Sequence, residues 1–341
     1  MAGKVAHGFI WLRYAQVTGY YNPRTAVPSS HAQTIYKLVP LQTHMDIPAE
    51  VQKCVVFVGY RLADGSERFA GSAFFVMKLT PEKAPLLGVR YAVTARHVVQ
   101  GIRAKGMDKV LLRVNRKSGD AGWIETQVKD WNFHPDEAVD VAVMPFEPLS
   151  GFDHNVFSTT GFVTPEVVAN EQIGVGNEVF IVGLFNRHHG EKNNIPIVRV
   201  GNIAAMPGEK VNAGLGPTDA YLIEARSIGG LSGSPVFLPL GIRKSMTGLV
   251  ISPGQLQRYY LLGLIHGHFD VREDDLVDEL VSEDAASAKS VNMGIAIVVP
   301  IEKVMETIEQ LNLIEWEAAL ERKKKELLGM KGNIPDSPSA G

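Results

Sequence analysis

Three short apolar runs, CVVFVGYRL (54–62), GSAFFVMKL (71–79) and GVRYAVTARHVV (88–99), decide the fold class. Each is rich in Val, Phe or Tyr, and each ends at turn residues: Asp64-Gly65 after the first, Pro81 and Pro85 after the second. Short β-rich runs bounded by Gly, Asp and Pro predict an antiparallel all-β domain. Downstream, KVLLRV (109–114), GWIETQVKDW (122–131) and DVAVMPF (140–146) extend the set. A second set begins near Glu171 with GNEVFIVGLF (176–185) and runs through IPIVRVGNIA (195–204), AYLIEA (220–225), SPVFL (234–238), GLVIS (248–252), YYLLGLI (259–265) and NMGIAIVV (292–299). Two successive clusters of strands predict two small barrels or sandwiches, not an alternating β/α chain.

The flanks differ from this body. Residues 1–45 mix aromatics with Pro23, Pro28 and Pro40 and show no sustained period, so they form an N-terminal extension. The strands then divide at about residue 150, giving units over 46–150 and 151–300. After Pro300 the period switches: Ile301, Val304, Ile308 and Leu311 share one helical face, and a helical segment is expected over 301–329. The last residues, 330–341, with Pro335, Pro338 and two serines, read as a disordered tail.

Composition narrows the function classes. With 45% hydrophobic and 21% charged residues among 341, an ordinary soluble core can form. The 37 acidic side chains outnumber the 34 basic ones, for a formal net charge of -3, which argues against nucleic acid as a ligand. No apolar stretch reaches the length of a membrane span, and the start, MAGKVAHGFIWLRYAQ, has only a short apolar patch interrupted by Arg13. The single cysteine, Cys54, excludes an internal disulfide and lies in an apolar run, where a buried inert thiol is expected. These features predict a cytoplasmic protein without a membrane partner.

The chemistry gathers at IGGLSGSPVF (228–237). Glycines around Ser232 allow a sharp turn that presents one hydroxyl, and with Gly230 in an unusual backbone conformation the NH groups of Gly230 and Ser232 can point into one cavity, an oxyanion hole. A plain Gly-Ser loop explains the stretch equally well in isolation. Its partners decide. In YAVTARHVV, His97 stands at the end of an apolar run behind the small residues Thr94 and Ala95; in WNFHPDEAVDVAVMPF, Asp140 opens a β-run. A buried carboxylate needs hydrogen-bond donors, and an imidazole NH is one. Asp136 is the competing carboxylate, but beside Pro135 and Glu137 it reads as exposed. A serine hydroxyl becomes a nucleophile when a neutral imidazole removes its proton and a carboxylate fixes the imidazole tautomer.

TARHV, DVAVM and GLSGSP, in that order, resemble the histidine, aspartate and serine motifs of the chymotrypsin/trypsin-like serine peptidases. GSAFFV and NMGIAIVVP resemble that family's flanking strands. The resemblance spans about Val51 to Pro300 and implies two six-stranded antiparallel β-barrels with the site between them. It also implies a serine endopeptidase with catalytic His97, Asp140 and Ser232, an oxyanion hole at Gly230 and Ser232, a polypeptide substrate and no cofactor. Leu231 and Ser234 depart from the secreted, zymogen-activated members and are similar to the disulfide-free microbial branch. Within the same resemblance, Arg226 falls near the floor of the primary specificity pocket, and His266, Gly267 and His268 fall where the family pairs its backbone with substrate.

Two rivals stand beside this reading. His266, His268 and Asp270 form H-x-H-x-D, a spacing that resembles the metal motif of metallo-β-lactamase-like hydrolases, although Val271 stands where that motif needs a histidine. A trypsin-like barrel that has lost activity and holds peptides as a binding module is the other; intact Ser, His and Asp argue against it. Neither substrate choice nor oligomeric state is legible.

Overall fold

The computed structural model describes residues 47–79, 88–147, 150–213, 215–225, 230–240, 242–245, 248–251, 258–271, 291–310, 315 and 318. The N-terminal extension expected over 1–45, the continuation of the helix toward 329 and the tail over 330–341 lie outside the described residues, apart from 315 and 318.

After a short helix α1 (Ala49–Gln52), the first sheet is built from β1 (Val55–Arg61), β2 (Glu67–Leu79), β3 (Gly88–Thr94), β4 (Lys109–Asn115), β5 (Ala121–Gln127), β6 (Asn132–Phe133), β7 (Ala142–Pro145) and β8 (Phe157–Ser158). Its path runs β5-β4-β1-β2-β3-β7-β6, with β8 added in parallel to β2. The two ends of that path, β5 and β6, are consecutive in the chain and separated only by residues 128–131, so one bent segment brings the sheet back on itself. Phe57, Phe74, Phe75, Tyr91, Leu112 and Val143 are buried, and consecutive Phe74 and Phe75 fall on the sheet's two opposite faces. Burying such side chains contributes about 1.5–3 kcal/mol each.

The second set closes into an antiparallel barrel in the order β10-β13-β18-β17-β14-β9. Its strands are β9 (Glu178–Gly183), β10 (Ile197–Ala205), β13 (Tyr221–Glu224), β14 (Pro235–Leu240), β17 (Arg258–Val271) and β18 (Val291–Pro300). Two hairpins leave it, β11 (Val211–Asn212) with β12 (Pro217–Thr218), and β15 (Ile242–Ser245) with β16 (Gly248–Ile251). Phe180 and Phe237 stack in its core at 5.2 Å between ring centroids. A short helix α3 (Pro165–Asn170) precedes the barrel, its first turn capped by the Thr164 hydroxyl. Helix α4 (Glu302–Ile308) follows it and buries Val304, Thr307 and Ile308 beneath the fully buried Ile301. The switch of period after Pro300 is thus a real helix.

One run folds differently from its reading. GVRYAVTARHVV is not a continuous strand: β3 stops at Thr94 and a helix, α2 (Arg96–Ala104), begins two residues later. The β-branched Val98 and Val99 favour strand locally, but with Ile102 they form one buried helical face, and that burial outweighs propensity. His97 therefore sits in the first turn of a helix.

Candidate active site

Helix α2 begins without a capping side chain of its own, since its N-cap residue is Ala95. The cap comes from across the sheet: Asp140 Oδ1 accepts the His97 backbone N–H at 2.8 Å. Its other oxygen, Oδ2, lies 2.6 Å from His97 Nδ1. A carboxylate at a helix N-terminus is favoured by the free N–H groups and by the helix dipole. The same residue thus holds both the backbone and the ring of His97. Arg96 anchors the loop that carries Asp140, donating to the carbonyls of His134 at 3.2 Å and Asp136 at 3.3 Å from beside the Phe133 ring. Asp136 itself is exposed and accepts the Ala138 N–H at 2.9 Å, a loop-capping role.

Asp140 is 1% exposed. Burial works to raise its pKa, yet hydrogen bonds from two imidazoles, His266 and His97, and their charges outweigh burial and hold it well below the usual carboxylate range. As an acceptor from His97 Nδ1–H, the carboxylate fixes the tautomer whose Nε2 carries the lone pair. The ring edge is open, with the His97 side chain 36% exposed.

Ser232 stands in a tight turn, in which Ser234 N–H bonds the Leu231 carbonyl at 2.8 Å. Gly230 has φ +103° and Gly233 φ +78°, both in the left-handed region that glycine adopts without penalty. At 233 the need is also steric: a Cβ would come within 2.3 Å of the Ser72 carbonyl oxygen and 2.4 Å of Thr94 Oγ1. That contact seats the serine turn against the end of β3, next to the helix that bears His97. Ser72 fastens it further. Its N–H donates to the Ser232 carbonyl at 2.9 Å, and its hydroxyl donates to the Gly230 carbonyl at 3.2 Å while accepting the Leu184 N–H at 2.9 Å. Among the described residues no acceptor is paired with the N–H of Gly230 or of Ser232.

The Ser232 hydroxyl makes a long bond of 3.4 Å to the His266 carbonyl, and among the described residues no hydrogen bond joins it to His97. His266 is the group the sequence did not lead to in this role. Singled out for its backbone, it turns its ring inward: Nδ1 lies 2.5 Å from Asp140 Oδ2, and Nε2 2.6 Å from the Ala213 carbonyl on the β11–β12 hairpin. The signal available was local, a histidine at the end of an apolar run, whereas its partners Asp140 and Ala213 lie far away in the chain, and β17 shifts register between Ile265 and Gly267. Gly267 and His268 pair with Ile297 and Ala296 of β18. Arg226 and the side chain of Asp270 lie outside the described residues.

His97, Asp140 and His266 bring donor atoms within 4.8 Å of one another, a spacing a metal ion could use. Those atoms already face each other at hydrogen-bond distance, so a cation would have to displace the protons that join them. Of the H-x-H-x-D stretch, His266 is engaged on both ring nitrogens by Asp140 and Ala213. Cys54 is buried, and burial pushes its thiol up to about 12, an inert sulfur.

No protein-family model matches the chain, and no curated protein matches it. Among solved structures it is similar to the MamO protease domain from Magnetospirillum magneticum in its apo form, at 14% identity over 76% of this chain and 98% of that one, with a TM-score of 0.44. It is also similar to a glutamic acid specific serine protease described as using a novel histidine triad in substrate binding, at 16% identity over 73% of this chain and 93% of that one, with a TM-score of 0.33. One neighbour is described as a protease domain and the other as a serine protease, and at TM-scores this low the chemistry of the site rests on its own geometry.

Proposed function

We propose that the protein is a serine endopeptidase that hydrolyses polypeptides through Ser232, His97 and Asp140. The observation that carries this reading is the 2.6 Å contact between His97 Nδ1 and the buried Asp140, with a glycine-flanked serine turn seated beside the same helix. His97 Nε2 takes the Ser232 proton as Oγ attacks the scissile carbonyl, and the N–H groups of Gly230 and Ser232 receive the negative oxygen. The imidazolium then protonates the leaving amine, and water activated by the same ring releases the acyl group. The pairing of β17 with β14 ends at Leu264, and an extended peptide would add as a further strand beside the residues that follow. One buried, inert cysteine and a chain in which no helix among the described residues is long and apolar enough to cross a membrane are compatible with the cytoplasm.

A second reading, a catalytically silent barrel that binds peptides, is favoured by one observation: the Ser232 hydroxyl faces the His266 carbonyl and not His97. Catalytic hydrogen bonds are often long in unliganded enzymes and tighten only when substrate arrives, which keeps the hydrolase reading first. Incubating the protein with a mixed peptide library and sequencing the new termini by mass spectrometry separates the two. Cleavage by the native protein, absent from Ser232→Ala, supports the peptidase; peptides retained uncut would favour the binding module.

A further inference from the structure

Both ring nitrogens of His266 face oxygens that have no hydrogen to give. Nδ1 lies 2.5 Å from Asp140 Oδ2, and Nε2 lies 2.6 Å from the Ala213 carbonyl oxygen. A carbonyl only accepts, and so does an ionised carboxylate. A neutral imidazole owns one N–H and satisfies one such partner, leaving a lone pair directed at the other. Only the doubly protonated ring donates to both. We propose that His266 is held as an imidazolium cation, a positioning residue that ties the β11–β12 hairpin to Asp140 and shares that carboxylate with His97.

The surroundings fit a charged ring. The His266 side chain is 13% exposed, and burial alone would disfavour the cation. The hydrogen bond to Asp140, the charge of Asp140 and the Ala213 carbonyl outweigh that burial, so the group titrates above its ordinary value of 6.5. The titratable groups that face it among the described residues are Asp140, from the loop before β7, and His97, from α2, whose ring meets it edge-on at 5.5 Å between centroids. The hairpin is seated at a second point, since a Cβ on Gly216 would lie 3.3 Å from that of Ala138, two residues before Asp140.

A shared carboxylate changes the base. When His97 takes the serine proton, Asp140 faces two imidazolium rings and stabilises each less than it would stabilise one. The charge of His266 therefore weighs against the positive charge that His97 gains when it takes the proton. As pH rises through the titration of His266, one of its two hydrogen bonds is lost and the hairpin is released from the carboxylate. This catalytic consequence rests on the peptidase reading; the charge of His266 does not.

The test is nitrogen-15 NMR of the full-length protein labelled at histidine, followed from about pH 5 to about pH 9. The His266 ring is assigned by its nuclear Overhauser contacts to Ala213, so the assignment does not depend on any variant folding. The expected result is a ring that carries protons on both nitrogens at about pH 6.5, where an ordinary histidine is half neutral. A neutral tautomer at about pH 6 would overturn the proposal. In parallel, the rate at which a fluorophosphonate labels Ser232 is measured against pH in native protein and His266→Gln. The two profiles should differ, because the variant lacks the titrating ring that shares Asp140 with His97. Coincident profiles would overturn the positioning role. If Ser232 is not labelled at any pH, the peptidase reading fails while the NMR result still decides the charge.

Discussion

At the scale of single residues, Asp140 has three donors on two oxygens: the N–H and Nδ1 of His97 and the Nδ1 of His266. Asp140→Asn keeps the shape but replaces one acceptor oxygen with an NH2 group, so the Nδ1 tautomer of His97 is no longer enforced. Labelling of Ser232 by a fluorophosphonate should slow by roughly a thousandfold or more, while Asp136→Asn stays within about twofold of native because Asp136 only caps a surface loop. A rate for Asp140→Asn near native would mean that His97 is not oriented through this carboxylate. The pair also carries a pH dependence of stability. Asp140, depressed from 3.8, stabilises the fold above that value and loses its contribution as pH falls through the lower folded value. His266, raised from 6.5, stabilises below that value and loses its contribution as pH rises through the higher folded value. The stability advantage of native protein over His266→Gln in urea unfolding should thus be greatest near about pH 5 and shrink toward about pH 9. A constant difference across that range would contradict a charged His266.

Between elements, β2 joins the serine turn to the end of β9 through one hydroxyl. Ser72→Ala removes the bond to the Gly230 carbonyl and leaves the buried Leu184 N–H without its acceptor. That should cost about 1–3 kcal/mol in denaturant unfolding and slow labelling of Ser232, because the turn loses a tether while its backbone bond from Ser72 N–H remains. Two glycines make a matched comparison. Gly233→Ala forces a side chain into the left-handed region and against the Ser72 carbonyl, and should destabilise by about 2 kcal/mol or more. Gly101→Ala lies on the exposed face of α2, where an added Cβ meets nothing within 4 Å, and should stabilise by about 0.5–1 kcal/mol. Equal effects at the two sites, read from thermal or urea unfolding, would mean that the serine turn is not seated as described.

Over the whole molecule, the two sheets are strapped by the chain between β9 and β10. Arg113 of β4, 7% exposed, donates to the carbonyls of Gly190 at 2.8 Å and Glu191 at 2.6 Å. Asn194 exchanges bonds with Asn115 and donates to the Arg113 carbonyl at 2.6 Å, while Ala121 N–H bonds the Lys192 carbonyl. Arg113→Ala should lower stability by about 1–3 kcal/mol and speed proteolytic nicking at 187–193; an unchanged unfolding midpoint would contradict the strap. Much of this architecture was legible because β-rich runs alternate with turn residues, as where CVVFVGYRL meets Asp64-Gly65 and DVAVMPF runs into Pro145. His97, Asp140 and Ser232 stand out as candidates because they lie where apolar runs meet small or polar residues, and the structure pairs the first two. What could not be read depends on distance in the chain. Helix α2 is decided by the burial of Val98, Val99 and Ile102 against strand propensity, and the tethers through Ser72 and Arg113 join residues more than seventy positions apart. His266 turns toward Asp140 at a register shift between Ile265 and Gly267 that no local pattern announces.

The central claim is that Ser232 is an activated nucleophile, and the direct measurement is covalent labelling of the purified full chain by a fluorophosphonate, with the modified residue located by peptide mass spectrometry. One adduct on Ser232, lost in His97→Ala and strongly slowed in Asp140→Asn, is the predicted result. No adduct, or an adduct that forms as readily without His97, would contradict the account and leave a barrel that holds peptides without cutting them.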